Sequence, residues 1–395
     1  MSFFDYISKD EITALITDLI SIESHKDQPL FESAVAEYIQ NRFKKEEIET
    51  ELEQTCPSFP RPNVYAYLGG KSKSPELMLN GHIDTVPGFN MDYPAYTPFI
   101  RDGKIYGRGS ADMKGGITGF MAAFIAAKRA GLVFRKSAMF AGVTGEEECS
   151  QGTEHLIKTG YEPVKVVISE PTEMSLCTAH KGFEWVEVTM IGRSCHGSKP
   201  WAGKNAIYAA ARLCDLIQKE LIPELESHPD PLLGPGTVCV GVVNGGHDPN
   251  IVPDRCTIQL DRRFMVTEPL ETVYAQIISL AQRAADEYGC KFEWRPMDHS
   301  RPSMIALPHA IDPNDDYVQS TLKLLEEVTH KEQEPVVWPC GWTDAGLLSN
   351  YTKAKCIVVG PGEVACAHNN DEYCSLEQIY QASELYFKML QTYCC

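Results

Sequence analysis

The sequence lacks long hydrophobic runs and an excess of positive charge. Its longest apolar run, residues 117–127, is about half as long as a membrane-spanning helix requires. The formal net charge of −18 disfavours attraction to nucleic acid or to an anionic membrane. We therefore expect neither a nucleic acid nor a membrane as partner, and an anionic substrate would need a local arginine or a metal ion.

A secretory signal and paired cysteine motifs are also absent. The segment Met1–Glu11 contains no basic stretch followed by an apolar core. Fourteen cysteines are present, but none forms a C-x-x-C pair, and they are scattered along the chain. We therefore expect reduced thiols and a cytoplasmic location. The adjacent Cys394 and Cys395 are predicted to lie in a frayed, exposed tail.

The chain of 395 residues is long enough for two domains, each with its own core. Apolar residues at helical spacing predict helices, and short apolar runs bounded by turns predict strands. Early in the chain the helices are 10–20, 31–45 and 117–130, and the strands are 63–68, 76–79, 137–144 and 164–168. Near the end, the helices are 317–329 and 376–392, with a strand at 356–359. This mixture predicts an α/β layer architecture.

The middle of the chain has a different order of predicted elements. The predicted strands there are 183–191, 237–243, 255–264 and 291–295, with helices at 205–221 and 270–288. The resulting β-α-β-β-α-β order is ferredoxin-like. It predicts an inserted domain, residues 181–295, within a first domain formed by residues 1–180 and 296–395.

Acidic and histidine residues collect where predicted strands end or helices begin. His82, Asp84, the cluster Glu146–Glu148 and Glu170 follow three of the strands, and Asp112 precedes a helix. For each alone, an ordinary explanation is open: a structural histidine, a helix N-cap at Asp112, or a solvated acidic turn. Adjacent carboxylates are unfavourable to bury without a cation. Since sites in open α/β sheets form at strand ends, these residues together favour a metal site.

Five segments in a fixed order carry these residues, and they are distributed over nearly the whole chain. The segments are His82–Pro87, Gly107–Gly115, Thr144–Glu147, Ser169–Thr172 and Ala367–Glu372. Their order and spacing, together with the inserted domain, resemble the M20 metallopeptidase family in its acetylornithine deacetylase/succinyl-diaminopimelate desuccinylase branch. The resemblance implies an α/β fold with a zinc-peptidase-like catalytic domain. It also implies that the inserted ferredoxin-like α+β domain serves as a lid and in dimerisation.

The resemblance implies a site for two Zn²⁺ ions per chain, with Co²⁺ as a substitute. Asp112 would bridge the two ions. His82 and Glu170 would complete one metal site, and Glu147 and His368 the other. Independently, two imidazoles and three carboxylates suit zinc. Two metals about 3.5–4 Å apart can share one carboxylate and one water.

The resemblance also implies the catalytic roles. Glu146 would be the general acid/base, and Asp84 would orient the ring of His82. His196 would reach the active site of the partner subunit in a homodimer formed through the inserted domain, where it could donate a hydrogen bond to the oxyanion. The three adjacent glutamates leave a register question, and the spacing to the residues that follow favours Glu148 as the solvated one.

Four further residues are expected to contact the substrate by the same resemblance. Asn250 would contact the substrate, and Arg263 would bind its carboxylate. The alternative for Arg263 is a salt bridge with Asp261, which strand alternation places on the same face. Gly341 and Thr343 belong to a loop that lines the pocket in the family. Trp342, between them, is larger than the usual residue there.

These expectations combine into one predicted activity. We predict a zinc-dependent amidohydrolase that removes an N-acyl group from a small amino acid with a free carboxylate. N-acetylornithine, and with it a role in arginine biosynthesis, is the leading candidate. Succinyl-diaminopimelate desuccinylase, aminoacylase and dipeptidase activities stay open, because they use the same metals. A non-catalytic dimer that binds a small ligand is the remote alternative, since every expected ligand is present.

Overall fold

The computed structural model describes residues 2–297, 304–338 and 341–395. The chain divides into two compact units: the first unit comprises Met1–Ala179 and His309–Cys395, and the second unit comprises His180–Pro308. The sequence placed the corresponding boundaries at 181 and 295, so the second unit is longer at its C-terminal end. The assignment of the two units as catalytic and dimerisation domains stays a prediction.

Ten α-helices lie in the described part of the chain. They are α1 Lys9–Ser21, α2 Ser33–Lys44, α3 Gly115–Arg129, α4 Gln151–Lys158, α5 Ala206–Leu216, α6 Ile222–Ser227, α7 Leu270–Glu287, α8 Asp316–Thr329, α9 Ala345–Tyr351 and α10 Leu376–Cys394. Side chains that accept N–H groups start several of them, as Ser8 does from Glu11 at 3.1 Å. Among the described helices, none combines the length and the apolar character that crossing a membrane requires.

The same residues contain sixteen strands. They are β1 Glu49–Gln54, β2 Pro62–Leu68, β3 Leu77–His82, β4 Phe99–Arg101, β5 Lys104–Tyr106, β6 Ala138–Val143, β7 Lys165–Ile168, β8 Cys177–His180, β9 Gly182–Ile191, β10 Thr237–Gly245, β11 Arg255–Phe264, β12 Lys291–Pro296, β13 His309–Ala310, β14 Val336–Val337, β15 Lys355–Val358 and β16 Tyr373–Ser375. They form a large sheet, a four-stranded sheet and a small three-stranded sheet, β16-β5-β4.

The large sheet of the first unit has the order β1-β2-β6-β3-β7-β15-β8-β13, with β14 beside β8. Its central strands β6, β3 and β7 are neighbours and run parallel: Leu77 pairs with Ala138 and Lys165, and His82 pairs with Val143. All residues of β3 and β6 are buried, as expected for parallel strands covered on both faces. The carboxyl ends of these three strands therefore lie at one edge of the sheet.

Two hydrophobic clusters cover the two faces of this sheet. Because side chains alternate along a strand, Leu79 joins the cluster that contains residues of α1, α3 and α10. Its neighbour Met78 joins the other cluster, with Leu156 of α4 and Leu348 of α9. Helices on both faces of a mixed sheet with a parallel centre define an α/β architecture, and the predicted fold class is confirmed.

The second unit contains the four-stranded antiparallel sheet β10-β11-β9-β12, with α5 and α7 packed on it. This strand order with two helices is ferredoxin-like, as the sequence predicted. The unit has a hydrophobic core of its own, to which Val188, Leu213 and Ile277 belong. β10 is an edge strand of this sheet and is largely exposed.

The C-terminus differs from the sequence prediction. Helix α10 extends to Cys394, whose side chain is buried in the core of the first unit. The backbone carbonyl of Cys394 accepts hydrogen bonds from the N–H groups of Arg135 at 2.8 Å and Lys136 at 3.1 Å. The prediction of a frayed, exposed tail at Cys394 is therefore wrong, because the helix packs and hydrogen-bonds to its last turn.

Candidate metal centre

Three adjacent strands place histidine and acidic side chains at one edge of the large sheet. His82 is the last residue of β3. Glu146 and Glu147 follow β6 after a turn at Gly145, and Glu170 follows β7. Parallel strands bring their carboxyl ends together, so these residues meet at the edge where sites form in α/β sheets.

A tight segment between β5 and α3 supplies Asp112. Its backbone is held by Glu372, whose carboxylate accepts hydrogen bonds from the N–H groups of Asp112 at 3.2 Å, Ala111 at 2.9 Å and Gly109 at 3.0 Å. Arg108 donates to the same carboxylate at 2.6 Å. Glu372 ends the segment Ala367–Glu372 noted in the sequence, but nothing local to it indicates these four contacts.

Two groups of side chains share Asp112. In the first group, Nε2 of His82 lies 2.9 Å from Oδ1 of Asp112 and 3.8 Å from Oε1 of Glu170. In the second, Nε2 of His368 lies 3.4 Å from Oδ2 of Asp112 and 3.0 Å from Oε1 of Glu147. Within each group the candidate ligand atoms lie within 4.8 Å of one another. The two oxygens of Asp112 thus face different groups, the geometry of a bridging carboxylate.

Asp84 joins two parts of the centre. Its carboxylate accepts the backbone N–H groups of Glu146 at 3.2 Å and Glu147 at 3.1 Å. Its backbone carbonyl accepts Nδ1–H of His82 at 3.0 Å, whereas the carboxylate is 3.6 Å from that nitrogen. The hydrogen bond that orients the ring of His82 is therefore made by the backbone carbonyl of Asp84 and not by its carboxylate. Nε2 of His82 then carries the lone pair with which a neutral imidazole binds a metal ion.

The electrostatics of the centre favour bound cations. Burial raises the pKa of Glu146 and of Glu170 well above the usual range, and it also raises the pKa of Glu147. The charge of Asp112 raises the pKa values of Glu147 and Glu170 further. Hydrogen bonds to Asp112 and Glu147 raise the pKa of His368 to about 10. Crowded buried carboxylates with two imidazoles fit a pair of divalent ions.

The loop before α9 lies beside the turn that carries the glutamates. Thr343 is buried, and its hydroxyl accepts the N–H of Ala345 at 3.2 Å. The next residue, Asp344, accepts a hydrogen bond from the hydroxyl of Thr153 at 2.6 Å. Burial raises the pKa of Asp344 to about 6. Gly341 packs against the indole of Trp338, where a Cβ would lie 2.9 Å from Nε1. Asp344 belongs to the loop that the sequence indicated, but no role was predicted for it.

His196 and Asn250 lie together in the second unit. Nδ1 of His196 accepts hydrogen bonds from the backbone N–H of Ser198 at 3.1 Å and from its hydroxyl at 2.8 Å. The N–H of Gly197 donates to the carbonyl of Asn250 at 2.7 Å. Both His196 and Asn250 are exposed. With Nδ1 accepting, the neutral ring carries its proton on Nε2, the form that an oxyanion donor needs.

Arg263 is placed apart from that pair, in strand β11. Its Nε and Nη2 each lie 2.9 Å from a different carboxylate oxygen of Asp261, and the guanidinium lies 5.1 Å from the ring centroid of Phe183. The salt bridge that the sequence analysis kept as an alternative is therefore present. The substrate-binding role of Arg263 stays a proposal.

Glu148 differs from its predicted solvated state. Its Oε1 lies 3.2 Å from Nη1 of Arg61, and only 27% of its side chain is exposed. Arg61 also forms a buried pair with Glu32. Glu147 contacts His368 at 3.0 Å, and the assignment of Glu146 and Glu147 as the active pair stays a prediction. The sequence did not reveal Arg61, because an isolated arginine at the start of a strand carries no pattern.

An α/β sheet that presents two histidines and three carboxylates at one edge has the donor set of a two-metal hydrolase. The sequence model of the peptidase family M20/M25/M40 matches residues 78–392. The chain belongs to this family of hydrolases, and the resemblance found in its motifs is confirmed.

Three relatives cover nearly the whole chain. A probable succinyl-diaminopimelate desuccinylase of Staphylococcus epidermidis is 27% identical over 416 residues, which cover 98% of each chain. A tripeptidase of Staphylococcus aureus has a TM-score of 0.78 at 19% identity and covers 98% of each chain. A dinuclear metal binding M20 peptidase of Bacillus subtilis has a TM-score of 0.71 at 13% identity, covering 96% of this chain and 97% of that one. The two solved structures show the shared fold.

Proposed function

We propose that the chain is a two-metal amidohydrolase that removes an N-acyl group from an amino acid with a free carboxylate. The observation that carries the proposal is the division of the two Asp112 oxygens between two groups of ligand atoms. His82 and Glu170 would complete one site, and Glu147 and His368 the other. Zinc suits these donors, with Co²⁺ as a substitute. The Bacillus subtilis relative, described as dinuclear, supports two ions.

The chain's own residues would handle the proton. Two divalent ions, when bound, would supply Lewis-acid activation of a water molecule and of the amide carbonyl. Asp84 accepts the backbone N–H of Glu146 at 3.2 Å. This hydrogen bond fixes the backbone from which the Glu146 side chain extends. Glu146 would accept a proton from the attacking water. It would return that proton to the amine nitrogen as the C–N bond breaks.

The proposed assembly is a homodimer formed through the second unit. Val242 and Val243 on the edge strand β10 are 47% and 54% exposed. An exposed apolar edge strand is a template for pairing with another chain. Pairing with β10 of a second copy would continue the sheet and cover both valines. In that dimer, His196 is proposed to donate to the oxyanion in the partner's site.

The proposed substrates share a free carboxylate beside the scissile amide. The name of the Staphylococcus epidermidis relative favours N-succinyl-L,L-diaminopimelate. N-acetylornithine, favoured by our sequence analysis, stays a second candidate. Asn250, Gly341 and Thr343 are proposed to contact the substrate. Arg263 would bind the substrate carboxylate in place of Asp261. A guanidinium can form the same pair of hydrogen bonds with either carboxylate.

Purified protein loaded with zinc tests this proposal against N-succinyl-L,L-diaminopimelate, N-acetyl-L-ornithine, several N-acetyl amino acids and simple dipeptides. We expect amine release with a strong preference for the succinyl compound. A preference for N-acetylornithine would support the second candidate instead. Hydrolysis of dipeptides alone would contradict the N-acyl substrate class. Protein that binds no zinc and hydrolyses none of the compounds would contradict the two-metal proposal.

A further inference from the structure

A buried ion pair lies behind the turn that carries the glutamates. Nε of Arg61 donates to Oε2 of Glu32 at 3.0 Å, and Nη2 donates to Oε1 at 2.5 Å. Arg61 is 3% exposed and Glu32 is fully buried. The ring of Phe31 lies 5.1 Å from the guanidinium. A buried pair seldom adds net stability over apolar residues of similar size, so its presence calls for a reason other than stability.

Arg61 contacts both ends of the turn Gly145–Glu148. Its Nη1 lies 3.2 Å from Oε1 of Glu148. At the other end, a Cβ on Gly145 would lie 3.1 Å from Nη2, so the guanidinium packs closely against this backbone. Gly145 has φ of +72°, a conformation that glycine adopts without strain. A larger residue there would have to displace the guanidinium.

The same turn is held from its other side by Asp84, which accepts the N–H groups of Glu146 and Glu147. The turn is therefore fixed at its backbone by Asp84 and at its last side chain by Arg61.

This arrangement separates three adjacent carboxylates that would otherwise be equivalent. Glu148 pairs with Arg61, Glu147 contacts His368 at 3.0 Å, and Glu146 is half-buried with its backbone N–H held by Asp84 at 3.2 Å. We infer that Arg61, oriented by Glu32, is a positioning residue that captures Glu148 and thereby directs Glu146 and Glu147 to the centre. This inference rests on the proposed two-metal function.

Two substitutions separate this role from a general contribution to stability. Arg61→Leu leaves Glu32 buried without its partner and should destabilise the fold. The double variant Arg61→Leu/Glu32→Leu replaces the pair by apolar side chains and should regain most of that stability. Zinc binding, measured by calorimetry against a competing chelator, and kcat and KM would be compared for both variants and the wild type.

If Arg61 positions the turn, the double variant binds zinc as weakly as Arg61→Leu does, even though its stability is regained. We expect at least one zinc to bind about 10- to 100-fold more weakly, as on loss of groups that orient metal ligands. We also expect kcat to fall by about 10-fold or more while KM changes little. Recovery of zinc affinity and kcat together with stability would overturn the inference.

Two further variants keep the test decisive. Glu148→Gln retains the buried pair and removes only the charge attraction at the turn, so it serves if the double variant fails to fold. We expect it to lower both zinc affinity and kcat, and wild-type values for both would overturn the inference. Arg129→Leu is the matched control, because Arg129 also binds two glutamates, Glu11 and Glu46, away from the turn. A wild-type protein without zinc or turnover would instead contradict the proposed function itself.

Discussion

At the scale of single residues, the centre depends on carboxylates that each contact two or more neighbours. Asp112 offers one oxygen to His82 and the other to His368. Asp84 accepts the N–H groups of two successive glutamates, and Glu372 accepts those of three residues in the Asp112 segment. Two of the side chains that would bind a metal, Asp112 and Glu147, thus extend from backbone N–H groups that another carboxylate holds.

Glu146→Ala tests the assignment of the general base. We expect the variant to bind two zinc ions as the wild type does, because Glu146 is not among the proposed ligands. Its kcat should fall by about 10²- to 10⁴-fold, since proton transfer through a positioned side chain is lost. Metal analysis and steady-state kinetics measure both quantities. Glu162→Gln, an exposed glutamate of the first unit, is the control; near-normal turnover in Glu146→Ala would contradict the mechanism.

The metal ligands that sequence could predict either follow a recognisable strand end or lie in a motif segment. His82, Glu147 and Glu170 follow strand ends, and Asp112 and His368 lie in the segments Gly107–Gly115 and Ala367–Glu372. The supporting contacts of Arg61, Asp344 and Glu372 could not be predicted, because each is made to residues distant in the chain. A charged side chain gives no local pattern that reveals such a partner, so only the folded chain identifies these contacts.

At the scale of elements, every predicted helix and strand is present in the structure, with ends that shift by a few residues. The missed elements are short or lack apolar periodicity. β1 has the sequence Glu-Thr-Glu-Leu-Glu-Gln and contains one apolar residue. It lies at the edge of the sheet and is held by backbone pairing with β2. Helix α4 has only eight residues, and β4, β5 and β16 have three each. Segments this short give too few turns or alternations for a period to be recognised.

Strand β8 ends in a buried imidazole whose titration should be visible in the stability of the protein. Burial lowers the pKa of His180 to about 4, from 6.5 when exposed. The unfolded chain therefore binds the proton more readily between these values. The stabilising contribution is fully present above pH 6.5 and is lost as the pH falls towards 4.

His180→Gln removes this titration and makes it measurable. Between pH 7.5 and pH 5, the wild type should lose about 2 kcal/mol more of its unfolding free energy than the variant does. Urea denaturation at the two pH values gives both numbers. Equal losses in the two proteins would show that His180 is not held neutral by its surroundings.

At the scale of the whole molecule, the edge strand β10 is the proposed contact between two copies. Val242→Glu and Val243→Glu together place like charges opposite each other in the proposed pairing, and they should convert the dimer into a monomer. Light scattering after size-exclusion chromatography measures the mass. Val133→Glu, at a valine that is 79% exposed in the first unit, is the control. An unchanged mass in the β10 variant would place the interface elsewhere or exclude a dimer.

The proposed dimer also predicts how inactive variants combine. His196→Ala alone should lower kcat by about 10²- to 10³-fold. If His196 acts in the partner's site, a mixed dimer of His196→Ala and Glu146→Ala regains one complete site. Random mixing should then restore about a quarter of the wild-type activity. Mixtures as inactive as the separate variants would show that His196 does not act across the dimer.

The central claim is that two divalent ions share Asp112. Crystals of zinc-loaded protein, measured at the zinc absorption edge, test it most directly. We expect two anomalous peaks about 3.5–4 Å apart on either side of the Asp112 carboxylate, one beside His82 and Glu170 and one beside Glu147 and His368. A fully loaded protein with no peak at Asp112, or with a single peak that does not contact it, would contradict the account.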